Sequence, residues 1–361
     1  MTADHLFNAS ALERAITAVV AAAGSHHEEA VHVAHSLVES NLRGHDSHGI
    51  GMVPRYVDAT LDGGLASNAR AHTELDAGGL LVLDGQRGHG PVIGQMAMQQ
   101  AIDRTRDLGS CIMALGNTHH LGRIGQFAEM TAGQGLVSLH FVNVLSAPRV
   151  APWGGADARY GTNPFCIGLP IPGEPPMILD CATSAVAQGK LRVAHNKGEQ
   201  VAPGLLIDDR GAPTTDPRFA VVEPFGAMMS FGGHKGYGLA VACELLGGAL
   251  TGGGTEDGVV RPHSGVLNGM LTIVIDPACL GTSAAYAANA QKFVAWLRQS
   301  PSAPGFDRVR IAGEPERETR ARRLEHGIEI DATTWTAVGN AAEKVGLERA
   351  RVDALASGAS D

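Results

Sequence analysis

The segment Arg43-Gly44-His45-Asp46-Ser47-His48-Gly49-Ile50 lies where a predicted helix gives way to a loop. A second segment, Gly116-Asn117-Thr118-His119-His120-Leu121-Gly122, follows a predicted strand. Histidine is the side chain whose ordinary pKa lets it give or take a proton near neutral pH. Two histidine-bearing loops, flanked by glycine and carrying hydroxyl and carboxylate groups, are therefore more typical of a proton-transfer site than of a core.

The composition indicates a globular protein with more than one subdomain. The chain has 361 residues, of which 44% are hydrophobic and 18% charged, and that length exceeds what one core comfortably fills. The net charge of −9 and the lack of a basic stripe disfavour a nucleic-acid partner. No apolar run reaches the ~18 residues of a membrane span, so no membrane partner is predicted. Five widely spaced cysteines without a CxxC motif indicate reduced thiols in a cytoplasmic protein.

The order of predicted elements favours an α+β fold. Helices are predicted at both ends, and short strands mixed with helices lie between them without a regular βαβ rhythm. Ser10-x-x-Glu13 and Ser25-x-x-Glu28 read as capping boxes that open the first two helices. We expect residues 1–75 to form a helical domain with residues 285–361. Residues 76–284 are then expected to form a mixed-sheet domain that binds cofactor and substrate.

Each histidine segment has a functional and a structural interpretation. His48 could be oriented by Ser47 or by a distant carboxylate for proton transfer, or it could be a surface histidine that interacts with the helix dipole. His119 and His120 are adjacent and point to opposite sides, so only one of them can face a pocket.

Two further segments leave similar alternatives open. Asp180 ends an apolar strand, where a carboxylate could orient a histidine or cap the following segment. The segment Phe231–Gly238 opens a helix with glycines and Lys235, which suits a bound anion, or its glycines allow close helix packing. No ligand spacing typical of a metal site is found, so no metal is predicted.

Seven motifs, taken together and in this order, resemble the malate/L-lactate/ureidoglycolate dehydrogenase family over nearly the whole chain. They are Gly44–Gly49, Asn117–Gly122, Ala151–Gly155, Gly161–Pro164, Asp180–Ser184, His234–Gly238 and Gly313–Glu316. The segments Asp46–Met52 and Asn117–Gly125 look most like the bacterial hydroxycarboxylate dehydrogenase B branch. The resemblance implies a non-Rossmann NAD(P)-binding fold with a mixed, largely antiparallel sheet core and a helical layer formed by the N- and C-terminal segments.

The resemblance also implies reversible, NAD- or NADP-dependent reduction of a 2-oxo acid to a 2-hydroxy acid by a homodimer. In the family, the histidine that matches His120 is proposed as the proton donor. In some members the residues that match Ser47, His48 and Asp180 are described as the relay instead. We favour His120, which leaves His48 to contact the cofactor or substrate. The expected cofactor-binding residues are His48, Gly122, Arg123, Ile124, Ser146, Ile178, Leu179, Asp180, Cys181, Ala182, His234, Lys235, Asn268, Gly313, Glu314, Pro315 and Glu316.

One position departs from the family pattern and bears on the substrate. Many members carry an arginine four residues after the histidine that matches His48, thought to hold the substrate carboxylate, and here that residue is Met52. A thioether cannot form the bidentate ion pair of a guanidinium, but it offers a soft apolar wall. We therefore expect a bulky or aromatic 2-oxo acid of the phenylpyruvate type. The candidates that would hold its carboxylate are Arg43, Arg55, Arg123 and Arg149.

Several other activities stay open at this point. Within the family they are malate or lactate dehydrogenation, ureidoglycolate oxidation and reduction of a cyclic imine such as piperideine-2-carboxylate. Outside it, a metal-dependent hydrolase and a non-catalytic nucleotide-binding module are the alternatives.

Overall fold

The structure is a computed structural model that describes residues 5–259 and 263–358. Its α-helices in chain order are α1 (Ala9–Ala22), α2 (His27–Leu42), α3 (Val53–Leu61), α4 (Gly90–Leu108), α5 (Gly125–Ala132), α6 (Gln188–Lys197), α7 (His234–Cys243), α8 (Ser283–Arg298), α9 (Glu314–His326), α10 (Ala332–Lys344) and α11 (Arg349–Ala356). Its strands are β1 (His5–Phe7), β2 (His72–Ala77), β3 (Leu80–Asp84), β4 (Ser110–His119), β5 (Val137–Leu145), β6 (Phe165–Leu169), β7 (Met177–Cys181), β8 (Leu206–Ile207), β9 (Pro213–Thr214), β10 (Ala227–Met228), β11 (Leu267–Ile275) and β12 (Ile328–Ile330).

A mixed sheet forms the centre of the molecule. In the described part of the chain, its strands follow the order β2-β3-β4-β11-β5-β6-β7. The pair β3–β4 is parallel and the other pairs are antiparallel. The predicted α+β class with a largely antiparallel sheet is therefore confirmed. Strand β4 is an inner strand of the sheet and ends at His119. His119 and His120 therefore lie at a fixed position where this strand leaves the sheet.

The two ends of the chain pack together as a helical layer, as predicted. One apolar cluster draws on α1, α2, α3, α10 and α11, with Leu12, Val33, Trp335 and Val352 among its buried members. Antiparallel pairing of β1 with β12 joins the same ends. Helix α8 packs elsewhere, because Val294 contacts Ile171 and Ile311. The domain boundaries at residues 75 and 285 stay a prediction.

Helices α4 and α5 cover one face of the sheet with a second apolar cluster. Phe127 is fully buried there beside residues of α4 and β4, among them Met98 and Met113. Close approach of α4 to this ring requires glycine at position 94, since a Cβ would lie 2.3 Å from Cζ of Phe127. This packing fixes the start of α5, which contributes to the site described below.

The predicted capping boxes are wrong in detail. The N-cap of α1 is Asn8, whose side chain accepts hydrogen bonds from the backbone N–H groups of Ser10 and Ala11. Ser25 donates its hydroxyl proton to Glu29 instead of capping α2. Both helices nevertheless begin within two residues of the predicted starts, because the apolar periodicity that follows each box is real.

The helix that the segment Phe231–Gly238 opens is interrupted. Helix α7 ends at Cys243 and continues as a π-helical segment, Glu244–Ala249. Gly247 and Gly248 in this segment lie directly on β5, where a Cβ at position 247 would be 2.6 Å from the backbone nitrogen of Asn143. Close packing on the sheet thus accounts for the glycines.

Candidate active site

The imidazole rings of His48 and His120 lie side by side although they come from separate loops. Their centroids are 5.4 Å apart and their planes are inclined by 20°. The hydroxyl of Ser47 is 2.9 Å from Nδ1 of His48. Two of the predicted catalytic histidines are therefore brought together, with the predicted serine beside one of them.

The loop that carries His48 is held by the end of α2 and by α9. Asn41 donates from Nδ2 to Asp46 over 2.7 Å and accepts the backbone N–H of Ile50 over 2.9 Å. Arg323 of α9 donates two hydrogen bonds to the Asp46 carboxylate. Gly49 passes so close to Asn41 that a Cβ would lie 2.2 Å from its Oδ1. These bonds on both sides of His48 fix the path of its backbone.

The His120 backbone is fixed by the start of α4. A Cβ at Gly90 would lie 2.2 Å from the His120 carbonyl oxygen and 2.4 Å from that of His119. Asn268 on β11 accepts the Leu121 N–H over 2.8 Å and donates to the Asn143 carbonyl over 2.7 Å. Asn268, a predicted cofactor residue, thus braces the residue that follows His120.

Tyr56 orients His120, a role that its surrounding sequence does not indicate. Its hydroxyl oxygen is 2.8 Å from Nδ1 of His120. The Tyr56 side chain is buried, and burial raises its pKa well above the ordinary value, so the hydroxyl keeps its proton. A hydroxyl that donates to Nδ1 leaves Nε2 of a neutral imidazole as the N–H that can face a substrate.

His119 has a packing role in this arrangement. Its side chain is 1% exposed, and neither ring nitrogen has a hydrogen-bond partner among the described residues. Burial lowers its pKa to about 3, so the ring is neutral. It lies edge-on to Tyr56 at a centroid distance of 5.4 Å. Of the adjacent pair, His120 is therefore the member that pairs with His48.

The electrostatics of the site favour neutral imidazoles. Burial lowers the pKa of His48 to about 4, while the negative charge of Asp180 opposes this shift. Burial also lowers the pKa of His120 well below its ordinary value, and the charges of His48 and Arg55 add to the effect. A bound anion would reverse these shifts, because opposite charge favours the protonated form.

Asp180 caps a helix other than the segment that follows it in the chain, and its role in orienting a histidine stays a prediction. Its Oδ2 accepts the backbone N–H of Gly125 over 2.7 Å at the start of α5, where a negative charge is favourable. Its charge also acts on His48. Asp180 thus connects the capping of α5 with the electrostatics of the histidine pair.

Comparison with known proteins identifies the family. The family model described as malate/L-lactate dehydrogenase matches residues 7–339. The chain belongs to the malate/L-lactate dehydrogenase family. It is 43% identical to hydroxycarboxylate dehydrogenase B of Escherichia coli K12 over 98% of each chain, and 44% identical to an L-lactate dehydrogenase of Cupriavidus necator over 84% of this chain and 87% of the relative. A solved E. coli structure of a proposed malate/lactate dehydrogenase superimposes with a TM-score of 0.93 at 43% identity, covering 98% of this chain and 99% of that one.

Family membership makes this protein an oxidoreductase. The segments that are expected to bind its cofactor can be located in the structure. Three of them contact one another, and the Asp180 carboxylate in one of them acts electrostatically on His48. The N–H of Ile178 donates to the Ala312 carbonyl over 3.1 Å, Gly313 lies against Ile178 with a φ of +92°, and Gly125 follows Gly122–Ile124 to reach Asp180. The residues predicted around positions 122–124, 178–182 and 313–316 therefore share one neighbourhood.

The polar atoms of this neighbourhood fit a hydroxyl-bearing cofactor. Oε1 of Glu316 is 3.6 Å from Nε2 of His45, whereas its Oε2 is buried without a hydrogen-bond partner among the described residues. A buried carboxylate oxygen is stabilised by a donor, and ribose hydroxyl groups are donors of that kind. Glu314, in contrast, already accepts a hydrogen bond from Arg298 over 2.7 Å.

The remaining predicted cofactor residues lie in other surroundings. His234 and Lys235 begin α7, and the His234 ring lies 6.0 Å from that of Trp153. Ser146 donates to its neighbouring carbonyl, that of Ala147. No described contact joins these three residues to the histidine pair, so their roles stay predictions.

Two of the arginines suggested for the substrate carboxylate are already paired with acidic residues. Arg123 is buried and donates two hydrogen bonds to Glu129, over 3.1 and 2.7 Å. Arg43 forms ion pairs with Glu39 over 2.9 Å and with Glu129 over 3.0 Å. Met52 is 8% exposed and belongs to the core of the helical layer. Arg55 and Arg149 have no acidic partner within the described residues.

Two features are absent from residues 5–259 and 263–358. No group of three His, Cys, Asp or Glu side chains is arranged to hold a metal ion there. No helix in the same ranges is long and apolar enough to cross a membrane.

We expect Tyr56→Phe to lower kcat about tenfold, because it removes one hydrogen bond from His120 and leaves Nδ1 unpaired. The dissociation constant for NAD(P)H should stay within about twofold of the unmodified enzyme. Tyr286→Phe is the matched control, since the Tyr286 hydroxyl donates to the Pro170 carbonyl over 2.9 Å, away from the histidine pair. Steady-state kinetics that show equal kcat for the two variants would contradict the orienting role.

Proposed function

We propose that this dehydrogenase transfers a hydride between NAD(P)H and a 2-oxo acid, giving a 2-hydroxy acid. The observation that carries the proposal is the stacked pair of His48 and His120. The Tyr56 hydroxyl lies 2.8 Å from Nδ1 of His120. A proton donor fixed in this way beside the expected cofactor segments suits reduction of a carbonyl group. The names of the hydroxycarboxylate and L-lactate dehydrogenases similar to this chain agree with such a substrate.

In the proposed reaction, bound NAD(P)H supplies the hydride that goes to the carbonyl carbon. His120 donates a proton from Nε2 to the carbonyl oxygen as negative charge develops there. The Tyr56 hydroxyl holds the ring at Nδ1, and it can donate to the neutral ring or accept from the protonated one. The anionic substrate raises the pKa of His120, so the ring can be protonated in the complex although it is neutral without substrate.

His48 is proposed to contact the cofactor or substrate, with its charge state controlled by Asp180. The alternative relay runs from Ser47 through His48, since the Ser47 hydroxyl is 2.9 Å from Nδ1 of that ring. In the relay, His48 and not His120 would be the primary acid. The variant His120→Ala, treated in the Discussion, separates these two assignments.

The substrate is proposed to be a bulky or aromatic 2-oxo acid. Met52 supplies no guanidinium where many family members carry one, and Phe225 offers an aromatic ring that is 44% exposed. The guanidinium carbon of Arg149 lies 5.1 Å from the centroid of that ring. An acid with an apolar tail could therefore place its carboxylate by arginine and its tail by Phe225.

The decisive experiment follows NADH and NADPH absorbance with a panel of 2-oxo acids, ureidoglycolate and a cyclic imine. We expect kcat/KM for phenylpyruvate to exceed the values for pyruvate and oxaloacetate. Faster turnover of pyruvate or oxaloacetate would overturn the aromatic preference. Turnover of the cyclic imine alone would identify the protein as an imine reductase. Loss of turnover when a metal chelator is added would favour the metal-dependent alternative.

The same experiment compares NADH with NADPH, so it also measures which of the two cofactors the enzyme uses. The assembly is proposed to be a homodimer, as the family resemblance implies. A monomer mass from light scattering of the purified protein would contradict that proposal.

A further inference from the structure

Three arginine side chains from separate elements form a cluster beside the histidine pair. Arg55 lies on α3, Arg149 follows β5, and Arg192 lies on α6. Partial burial and the charge of Arg192 lower the pKa of Arg55. Partial burial and the charges of Arg55 and Arg192 lower the pKa of Arg149. The three guanidinium groups are thus near enough to repel one another.

One sequence neighbour and one packing contact relate this cluster to the proposed reaction centre. Arg55 directly precedes Tyr56, whose hydroxyl is 2.8 Å from His120. Helix α6 lies against the loop of His48, since a Cβ at Gly189 would be 3.3 Å from the Cβ of Ser47. Arg192 follows Gly189 by three residues, so both share one face of α6. Helix α6 therefore directs its arginine face to the side of the site where Ser47 and His48 lie.

The cluster differs from the other arginines of the site in having no counter-charge. Arg43, Arg123 and Arg323 each form an ion pair with a carboxylate. For Arg55, Arg149 and Arg192, the described residues provide neither an ion pair nor a hydrogen bond to an acid. The one ring contact is that of Arg149 with Phe225. Neighbouring cations without a counter-charge attract an anion from solution.

We propose that Arg192 binds the carboxylate of the 2-oxo acid together with Arg55 and Arg149. A carboxylate offers about four acceptor positions, and each guanidinium presents a planar fork of N–H donors that matches them. Arg149 lies by the Phe225 ring, and Arg192 shares a face of α6 with Gly189, which lies by Ser47. The carboxylate is thereby held while the adjacent carbonyl group faces His120. This inference rests on the proposed function, because it names the recognition group of the same substrate.

The test compares Arg192→Gln and Arg192→Lys with the unmodified enzyme, using the fastest 2-oxo acid of the panel. Arg192 is exposed, so its replacement is compatible with folding. We expect Arg192→Gln to raise KM for the 2-oxo acid about 10- to 100-fold, since a charge-assisted hydrogen-bonded pair is lost. Arg192→Lys should give an intermediate value, because an ammonium keeps the charge but not the bidentate geometry. The dissociation constant for NAD(P)H, from its fluorescence, should not change.

Lys197→Gln is the matched control, because Lys197 is an exposed cation in the last turn of the same helix. It should leave KM within about twofold of the unmodified value, as expected for an exposed charge away from the ligand. Equal KM values for Arg192→Gln and Lys197→Gln would overturn the inference while leaving the proposed function intact. Weaker NAD(P)H binding by Arg192→Gln with unchanged KM would also overturn it. If the unmodified enzyme reduces no 2-oxo acid, the proposed function itself fails.

Discussion

His120→Ala is expected to lower kcat for reduction of the 2-oxo acid by about 10²- to 10⁴-fold, the range that a positioned general acid supplies. The variant removes the only nitrogen that Tyr56 orients, so no proton donor remains in line with the carbonyl oxygen. The dissociation constant for NAD(P)H should stay near that of the unmodified enzyme, because the segments around Ile178 and Gly313 are untouched. Steady-state and single-turnover kinetics, with fluorescence titration of the cofactor, measure both quantities.

His48→Ala is the informative companion variant. The two rings are neighbours of similar exposure, 5.4 Å apart, so the substitutions remove similar volumes from the same site. If His48 contacts the cofactor, its variant should weaken NAD(P)H binding more than His120→Ala does. A loss of kcat confined to His48→Ala, with His120→Ala changing cofactor affinity alone, would assign the acid role to His48.

Local pattern was sufficient for most of the sheet. The short apolar runs 165–169 and 177–181, each bordered by proline, predict strands, and β6 and β7 have these bounds, Phe165–Leu169 and Met177–Cys181. The apolar spacing that begins at Val92, with Gly109 beyond it, predicts a helix that ends at Leu108, and α4 ends there with Gly109 in the left-handed conformation at a φ of +85°. Such signals are local, so they survive without knowledge of the tertiary structure.

The residues that complete the site were less accessible from sequence. Tyr56 becomes functional only through His120, which is 64 residues away along the chain, and a tyrosine on an apolar helix face is ordinarily a core residue. Helix α6 was missed because Leu191 is its one buried residue, which leaves no apolar stripe to predict a helix. Arg192 is therefore absent from the arginines that the sequence suggests for the substrate carboxylate, whereas Arg55 and Arg149 are among them.

The histidine loops are an intermediate case. Their residue types indicated proton chemistry, and their glycines at positions 49 and 116 do lie against neighbouring atoms. Which histidine faces the site depends on contacts between β4, α3 and α4 that no short segment encodes. The pairing of His48 with His120, and the burial of His119, needed the fold.

The free energy of unfolding is expected to fall steeply as the pH decreases below about 6.5. His89, His119 and His140 are buried. Burial lowers the pKa of His89 to about 4 and the pKa values of His119 and His140 to about 3. Below pH 6.5 the unfolded chain binds protons at these residues before the folded chain does. Stability is therefore lost as the pH falls toward the folded-state values, by about 1.4 kcal/mol per pH unit for each histidine.

Urea unfolding at several pH values measures this slope, and His140→Gln tests one contributor. His140 is 0% exposed, and its ring nitrogens are each 3.0 Å from a hydroxyl oxygen, of Thr272 and of Ser138. Among the described residues, no carboxylate contacts this ring to compensate its protonation. The variant should reduce the slope between about pH 6 and pH 4 by about 1.4 kcal/mol per pH unit. His72→Gln, at an exposed position of β2, should leave the slope unchanged.

The other groups with shifted pKa values do not produce the same loss of unfolding free energy between about pH 6.5 and pH 5. The pKa of His35 is raised by its hydrogen bond to Glu13, so His35 stabilises the fold in acid, but the pair is largely exposed and weak. Carboxyl groups with lowered pKa values, such as Glu39 and Glu316, lose their contribution to stability mainly below about pH 5, where the unfolded carboxyl groups become protonated. A flat free energy between about pH 6.5 and pH 5 would therefore mean that the interior imidazoles accept protons without unfolding. It would also remove the physical basis for a neutral His120 in the free enzyme, because the same burial lowers its pKa.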